Sequence, residues 1–125
     1  MATDFIFEVR DYEGARVLLG TAEWKKKILS RAPIGHPEVA DYLDEIQTTI
    51  SDPDVVFEST KRADARLFYK LNAGKREYAD KHLVIVVKYV EEQKERVGYV
   101  STVYLARGLY ARGRIVWQRK NLLNS

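Results

Sequence analysis

The sequence contains no cysteine and only two histidines among its 125 residues. The missing cysteines exclude disulfide bonds, cysteine-based zinc sites and cysteine nucleophiles. The chain also has few histidines for a histidine-based metal site, because such a site needs several converging ligands. We therefore expect no metal and no other cofactor. A chain of this length can bury a sizeable apolar core without disulfide bonds or a structural metal.

Long apolar runs are missing as well. No stretch is long enough to span a membrane, and residues 1–20 lack the basic start and apolar centre of a signal peptide. We expect a soluble, cytoplasmic protein with no membrane partner. The sequence shows no repeat and no linker, so residues 1–125 are interpreted as a single domain.

Acidic residues are absent from the C-terminal part of the chain. Every Asp and Glu lies at or before Glu95, although the net charge of the whole chain is only +3. The C-terminal third carries Arg107, Arg112, Arg114, Arg119 and Lys120 with no acidic residue among them. Such an asymmetry favours a polyanionic partner such as RNA or DNA. A solvated basic edge that keeps the protein soluble explains the charge equally well.

Residues 82–105 predict a central β-hairpin. Two segments rich in Val, Ile and Tyr flank the polar link at residues 91–96. The register that keeps the apolar residues together places Leu83, Ile85, Val87 and Tyr89 beside Tyr99, Ser101, Val103 and Leu105. The opposite face then carries His82, Val84, Val86 and Lys88 beside Val100, Thr102, Tyr104 and Ala106. If the pairing register shifted by one residue, Lys88 would share a face with Tyr99 and Ser101 instead.

The rest of the chain supplies further strands and two helices. Alternating polarity predicts strands at residues 5–9, 16–19, 55–58, 66–71 and 114–118. A short helix is expected after Thr21, and a stronger amphipathic helix is expected from Pro37 to Ile50. This order predicts an α+β fold in which an antiparallel β-sheet has N-terminal helices packed on one face. The other face, with Lys88 and Thr102, would remain open.

Four residues are candidates for catalysis. His36, at the start of a helix, could act as a general acid or base, although an N-cap histidine without a catalytic role fits the same position. Lys88 and Thr102 are polar positions in apolar strands and could stabilise a phosphorane, or simply reflect snorkelling and β-propensity. Arg66 would line the neighbouring strand. The residues predicted to bind substrate are Lys70, Tyr104, Arg107, Arg112 and Arg114.

Several short segments resemble, in the same order, a phage- and mobile-element-associated family assigned to the barnase, EndoU, colicin and RelE-like nuclease fold. They include Tyr12-Glu13-Gly14, Trp24 with Ile28-Leu29, His36-Pro37-Glu38, Ile46 with Ile50, Asp52-Pro53-Asp54, Phe68-Tyr69-Lys70, residues 83–88, residues 100–104 and Ile115-Val116-Trp117. The resemblance places the family's histidine, strand-end basic residue and threonine at His36, Lys88 and Thr102. The sequence departs from the family pattern at Lys27 and Gly35, where members often have a histidine and a basic residue.

Three functions remain open from the sequence. The resemblance implies a toxin-like, metal-independent endoribonuclease that leaves a 2′,3′-cyclic phosphate, with a cognate inhibitor protein as a further partner. The basic residues and the tyrosines would also suit a non-catalytic RNA-binding module. The third alternative is a phage or mobile-element interaction protein whose basic end contacts an acidic partner.

Overall fold

The structure, a computed structural model, describes residues 4–32, 35–109 and 112–120, and for Arg112 the backbone only. The strands are β1 (Phe5–Arg10), β2 (Arg16–Gly20), β3 (Val55–Ser59), β4 (Ala65–Lys70), β5 (His82–Glu92), β6 (Glu95–Ala106) and β7 (Arg112–Gln118). One α-helix, α1, spans Leu43–Ser51, and single helical turns span Glu23–Ile28, Pro37–Val39 and Arg76–Tyr78. No helix in these described ranges is long and apolar enough to cross a membrane.

All seven strands form one mixed sheet in the order β1-β2-β6-β5-β4-β3-β7. The α+β class is therefore confirmed. The expectation of a purely antiparallel sheet is wrong, because β2 runs parallel to β6. A parallel pair needs a long crossover connection, and the chain between β2 and β6 provides one by passing through α1 and three other strands.

The predicted register of the central hairpin is correct at one end and wrong at the other. Leu83 pairs with Leu105 and Ile85 with Val103, as expected. The register then shifts between Val86 and Val87, so that Val87 pairs with Val100, and Lys88 pairs with Tyr99. Ser101 is the additional residue of this β-bulge. The bulge turns Val100 toward the core and moves Tyr99 to the side of Lys88, the opposite of the prediction for both.

The two sides of the sheet differ in their cores. We call them the Ile85 face and the Val84 face after adjacent residues of β5. The main core contains Ile85-face side chains together with buried residues of α1 and of the first two helical turns: Val56, Phe68, Leu83, Ile85, Val87, Val103, Trp24, Ile28, Val39, Ile46 and Ile50. A smaller apolar cluster on the Val84 face consists of Val55, Phe57, Leu67, Tyr69, Val84 and Ala106.

The helical segments are shorter than predicted. The helix expected from Pro37 to Ile50 is divided into a 3-10 turn and α1, which begins only at Leu43. The helix expected after Thr21 is a single π-type turn with Ala22 at its N-cap. Isolated short helices are marginal, so their boundaries are determined by tertiary packing that a periodic pattern does not contain.

The connection between β5 and β6 is only Gln93-Lys94, shorter than the predicted polar link at residues 91–96. Both residues have positive φ values, 53° and 65°. Two consecutive left-handed residues form the hairpin turn whose twist matches that of the strands, and Asn-Gly is its preferred sequence. Gln and Lys pay a steric cost in this conformation.

Replacing this turn should stabilise the protein. We expect Gln93→Asn combined with Lys94→Gly to raise the free energy of unfolding by about 1 kcal/mol, because the left-handed backbone is less strained with these residues. Urea denaturation followed by circular dichroism measures the change. Glu91→Gly, within β5, serves as the control and should lower stability. A double variant no more stable than the parent would contradict the strained turn.

Candidate nucleic-acid interface

Three of the candidate residues lie on the Val84 face. Thr102 and Tyr104 in β6 pair with Val86 and Val84, and Lys88 follows two residues after Val86 in β5. Diagonal neighbours on one face of a sheet have Cα atoms roughly 7–8 Å apart. The Lys88 and Thr102 side chains can therefore act on the same small ligand group.

A groove of about 220 Å³ lies beside Thr102. We call it the Thr102 groove, and its lining residues are Ser59, Lys61, Arg62, Ala65, Leu67, Val86, Thr102 and Tyr104. Its floor is provided by β4, β5 and β6, and its rim by the connection between β3 and β4. An apolar floor with a few polar and basic groups at the rim is the usual composition of a ligand site.

The rim connection is shaped by its own hydrogen bonds. The Ser59 hydroxyl accepts hydrogen bonds from the backbone N–H groups of Lys61 and Arg62, at 3.1 and 3.2 Å. Arg62 then donates two hydrogen bonds to the Asp64 carboxylate, at 3.0 and 3.1 Å. This contact lowers the pKa of Asp64, and the positive charge of Lys88 lowers it further. Lys61 and Arg62 are the charged residues that line the groove, and Asp64 pairs with Arg62, so Lys61 leaves the groove with an excess of positive charge.

His36 is adjacent to the Thr102 groove because its ring contacts Tyr104, which is one of the lining residues. Its backbone N–H donates to the Ile28 carbonyl oxygen at 2.6 Å, which fixes the residue at the N-cap of the Pro37–Val39 turn. The imidazole contacts the Tyr104 ring in a tilted arrangement, with 5.6 Å between centroids and an angle of 38° between the ring planes. Nδ1 lies 3.4 Å from a Glu38 carboxylate oxygen, and the side chain is 33% exposed. A carboxylate at Nδ1 orients the ring and leaves Nε2 for a ligand.

The Tyr104 side chain is partly buried. Burial raises the pKa of its hydroxyl, and a hydrogen bond from Tyr69 partly offsets that rise. Tyr69 is fully buried and has the Phe57 and His82 rings as neighbours, at 5.4 and 6.5 Å between centroids. His82 accepts the backbone N–H of Asn72 at Nδ1. Tyr104 thus keeps its proton at neutral pH and can donate it in a hydrogen bond.

Arg66 and Lys70, which were expected on the strand next to Lys88, do lie on β4, but they are on the opposite face of the sheet from Lys88. Arg66 pairs with Val87 and Lys70 with Leu83, so both project from the Ile85 face. Arg66 Nη1 donates to the Tyr12 hydroxyl and to Glu13 Oε1, each at 2.9 Å. Lys70 Nζ lies 3.4 Å from Asp54 Oδ1. Strand alternation separates these two side chains from the Thr102 groove.

The C-terminal arginines lie in or just after β6 and β7 and, among the described lining residues, none of them lines the Thr102 groove. Arg107 is exposed just after β6. Arg114 in β7 contacts Glu58 Oε1 at 2.6 Å. Arg119 bonds to both Asp52 and Asp54. The backbone of Arg112 pairs with Ser59, and its side chain lies outside the described residues.

Sequence reasoning missed the rim of the groove. Lys61 and Arg62 occur in a polar connection with no motif, and only the pairing of β4 with β5 brings that connection beside Thr102. The contact of Glu38 with the His36 ring was not predicted either. The spacing of two residues between His36 and Glu38 was the available signal.

Comparisons with known proteins give no further guide to this surface. No protein-family model, curated protein or solved structure matches the chain. Within the described ranges, no group of three or more histidine and carboxylate side chains could hold a metal ion.

The raised pKa of Tyr104 leads to a pH-dependent stability. In the unfolded chain this hydroxyl titrates near its ordinary value of 10.0, and in the folded protein it titrates higher. Between those values the folded state binds more protons, so stability falls as the pH rises above about 10. Tyr104→Phe should make this alkaline decrease smaller in thermal unfolding scans. A decrease of equal size in the parent and the variant would contradict the burial of Tyr104.

Proposed function

We propose that the protein binds RNA along the Thr102 groove and cleaves it without a metal ion, through a 2′,3′-cyclic phosphate. In this proposal the helices cover the Ile85 face, and the RNA binds the partly exposed region of the Val84 face around Val86, Lys88 and Thr102. The observation that carries the proposal is the contact of the His36 ring with the Tyr104 ring, with Glu38 at Nδ1 of the histidine. This contact brings an oriented imidazole to a groove with excess positive charge.

The chemistry assigns one task to each group. Nε2 of His36 accepts the proton of the ribose 2′-OH, and the 2′-oxygen then forms a bond to the adjacent phosphorus. The bond from phosphorus to the 5′-oxygen breaks, and that oxygen takes a proton from solvent. Lys88 stabilises the charge on the phosphorane, while Thr102 and Tyr104 donate hydrogen bonds to its oxygens. Glu38 stabilises the imidazolium that forms at His36.

The basic rim supplies the remaining phosphate contacts. Lys61 and Arg62 can contact phosphates that flank the scissile one, because RNA backbones follow positively charged grooves. Arg66 has no role in this site, since it lies on the other face of the sheet. A cognate inhibitor protein, if this protein has one, would have to cover the Thr102 groove.

The direct test is RNA cleavage in EDTA. Purified protein incubated with a mixed RNA pool should produce 2′,3′-cyclic phosphate ends. His36→Asn should lower the cleavage rate at least about a hundredfold, because it removes the general base. His82→Asn is the matched control, since it replaces the other histidine of the chain, and it should cleave like the parent. Equal loss in both variants, or none in either, would contradict the role of His36.

A second candidate is a non-catalytic RNA-binding module. It is favoured by the position of Arg66, because the arginine expected to stabilise the phosphorane is bound to Glu13 and Tyr12 instead. The partly exposed rings of His36 and Tyr104 would then offer a stacking surface for a base. Intact RNA that binds with an affinity falling steeply with salt, and that Thr102→Val combined with Lys88→Gln no longer binds, would identify this function.

A further inference from the structure

Two arginines converge at one end of the Ile85 face. Arg66 comes from β4 and Arg96 from β6, and their guanidinium carbons lie 5.9 and 3.9 Å from the centroid of the Tyr89 ring. The Nη1 atoms of both arginines contact the same oxygen, Oε1 of Glu13, at 2.9 and 3.3 Å. Two guanidinium cations repel one another, and here a side-chain carboxylate that contacts both offsets that repulsion.

The two arginines border a cavity that could hold a ligand, in addition to forming ion pairs with Glu13. The cavity has a volume of about 340 Å³ and is lined by Glu58, Ala63, Asp64, Ala65, Arg66, Tyr89 and Arg96. Its two carboxylates are already paired, Glu58 with Arg114 and Asp64 with Arg62. The Tyr89 ring forms a flat apolar wall against which planar guanidinium groups stack.

The nearby carboxylate of Asp11 is fully engaged. It is buried and accepts hydrogen bonds from the Tyr89 hydroxyl at 2.6 Å and from the backbone N–H groups of Glu13 and Ala15 at 2.8 and 2.9 Å. These bonds hold the β1–β2 turn in place through its backbone. The Glu13 side chain can therefore leave the arginines without unfolding the turn.

A phosphate group can displace the Glu13 carboxylate from the two arginines at little cost. The Glu13 side chain is 49% exposed, and ion pairs of such exposure contribute little stability. A tetrahedral oxyanion offers more acceptor oxygens than one shared carboxylate oxygen, and it can engage both guanidinium forks. The cavity beside the pair has room for a phosphate group.

We propose that Arg66 and Arg96 form a phosphate-binding site that the Glu13 side chain occupies in the absence of ligand. The ligand is a phosphate group, whether free inorganic phosphate or the terminal phosphate of an RNA. The site is separate from the Thr102 groove, because Arg66 projects from the opposite face of the sheet. It does not depend on whether the protein cleaves RNA.

Calorimetric titration with inorganic phosphate at neutral pH and low salt tests the site. Glu13→Gln should bind phosphate about tenfold more tightly than the parent, because the competing charge is removed. Arg96→Gln should bind at least about tenfold more weakly. Arg76→Gln, which alters an exposed arginine paired with Asp41, is the matched control and should match the parent.

A loss of binding in Arg96→Gln could result from misfolding of that variant. A gain of phosphate affinity in Glu13→Gln cannot result from misfolding, so it tests the site independently. Arg96→Lys adds a second check, since it keeps the charge but loses the planar fork and should bind more weakly than the parent. Equal phosphate affinity in the parent, Glu13→Gln and Arg96→Gln would overturn the proposal. So would the absence of phosphate binding by Glu13→Gln.

The two sources of phosphate are distinguished with 2′-O-methyl oligoribonucleotides, which the proposed cleavage reaction cannot cut. Tighter binding of a 5′-phosphorylated oligonucleotide than of its 5′-hydroxyl counterpart, lost in Arg96→Gln, would assign the site to RNA ends. Equal binding of the two, with inorganic phosphate still bound in an Arg96-dependent way, would assign it to the free anion. Both results support the site, and neither depends on His36.

Discussion

The pairing of β5 with β6 is the constraint on which the rest of the structure depends. These are the longest strands, they occupy the middle of the sheet, and each contributes to both faces. The bulge at Ser101 divides β6 into two registers. On one side of it Val100 enters the main core, and on the other side Thr102 and Tyr104 project from the Val84 face. Lys27 Nζ donates to the Ser101 hydroxyl at 3.4 Å, which joins the bulge to the first helical turn. Bulges often occur next to functional sites because they redirect side chains in this way.

Gly98 and Tyr89 connect this central pair to the edge of the sheet. Gly98 lies in β6 between β5 and the parallel strand β2, and a Cβ atom there would approach Val87, Tyr89 and Val17 to between 2.7 and 3.1 Å. The Tyr89 ring covers the position that a side chain would fill, and its hydroxyl reaches Asp11 in the β1–β2 turn. Burial and the Asp11 carboxylate both raise the pKa of Tyr89. The same ring supports the two arginines, so the packing of one tyrosine links the sheet, the turn and the proposed phosphate site.

Local patterns predicted the strands well and the site only in part. Alternating polarity identified β1, β2, β3 and β4 to within one residue at every boundary, and the apolar runs identified the central hairpin. The same rule placed Lys88, Thr102 and Tyr104 together, because these residues lie on the two strands whose pairing could be argued. It failed for Arg66 and Lys70, since the face of β4 depends on its register with β5, which the sequence pattern does not contain. The parallel pairing of β2, the bulge at Ser101 and the approach of Lys61 and Arg62 to the groove are nonlocal for the same reason.

The central claim is that RNA contacts the Val84 face at the Thr102 groove. Chemical-shift mapping of backbone amides with an uncleavable 2′-O-methyl oligoribonucleotide that lacks a terminal phosphate tests it most directly. The account predicts that the largest shifts occur at Lys61, Arg62, Val86 and Thr102, with smaller shifts at α1. Lys61 and Thr102 are distant in sequence and meet only at the groove, so shifts at both amides would place the RNA there. Shifts confined to α1 and the Ile85 face, or no shifts even with a large excess of the oligonucleotide, would contradict the account.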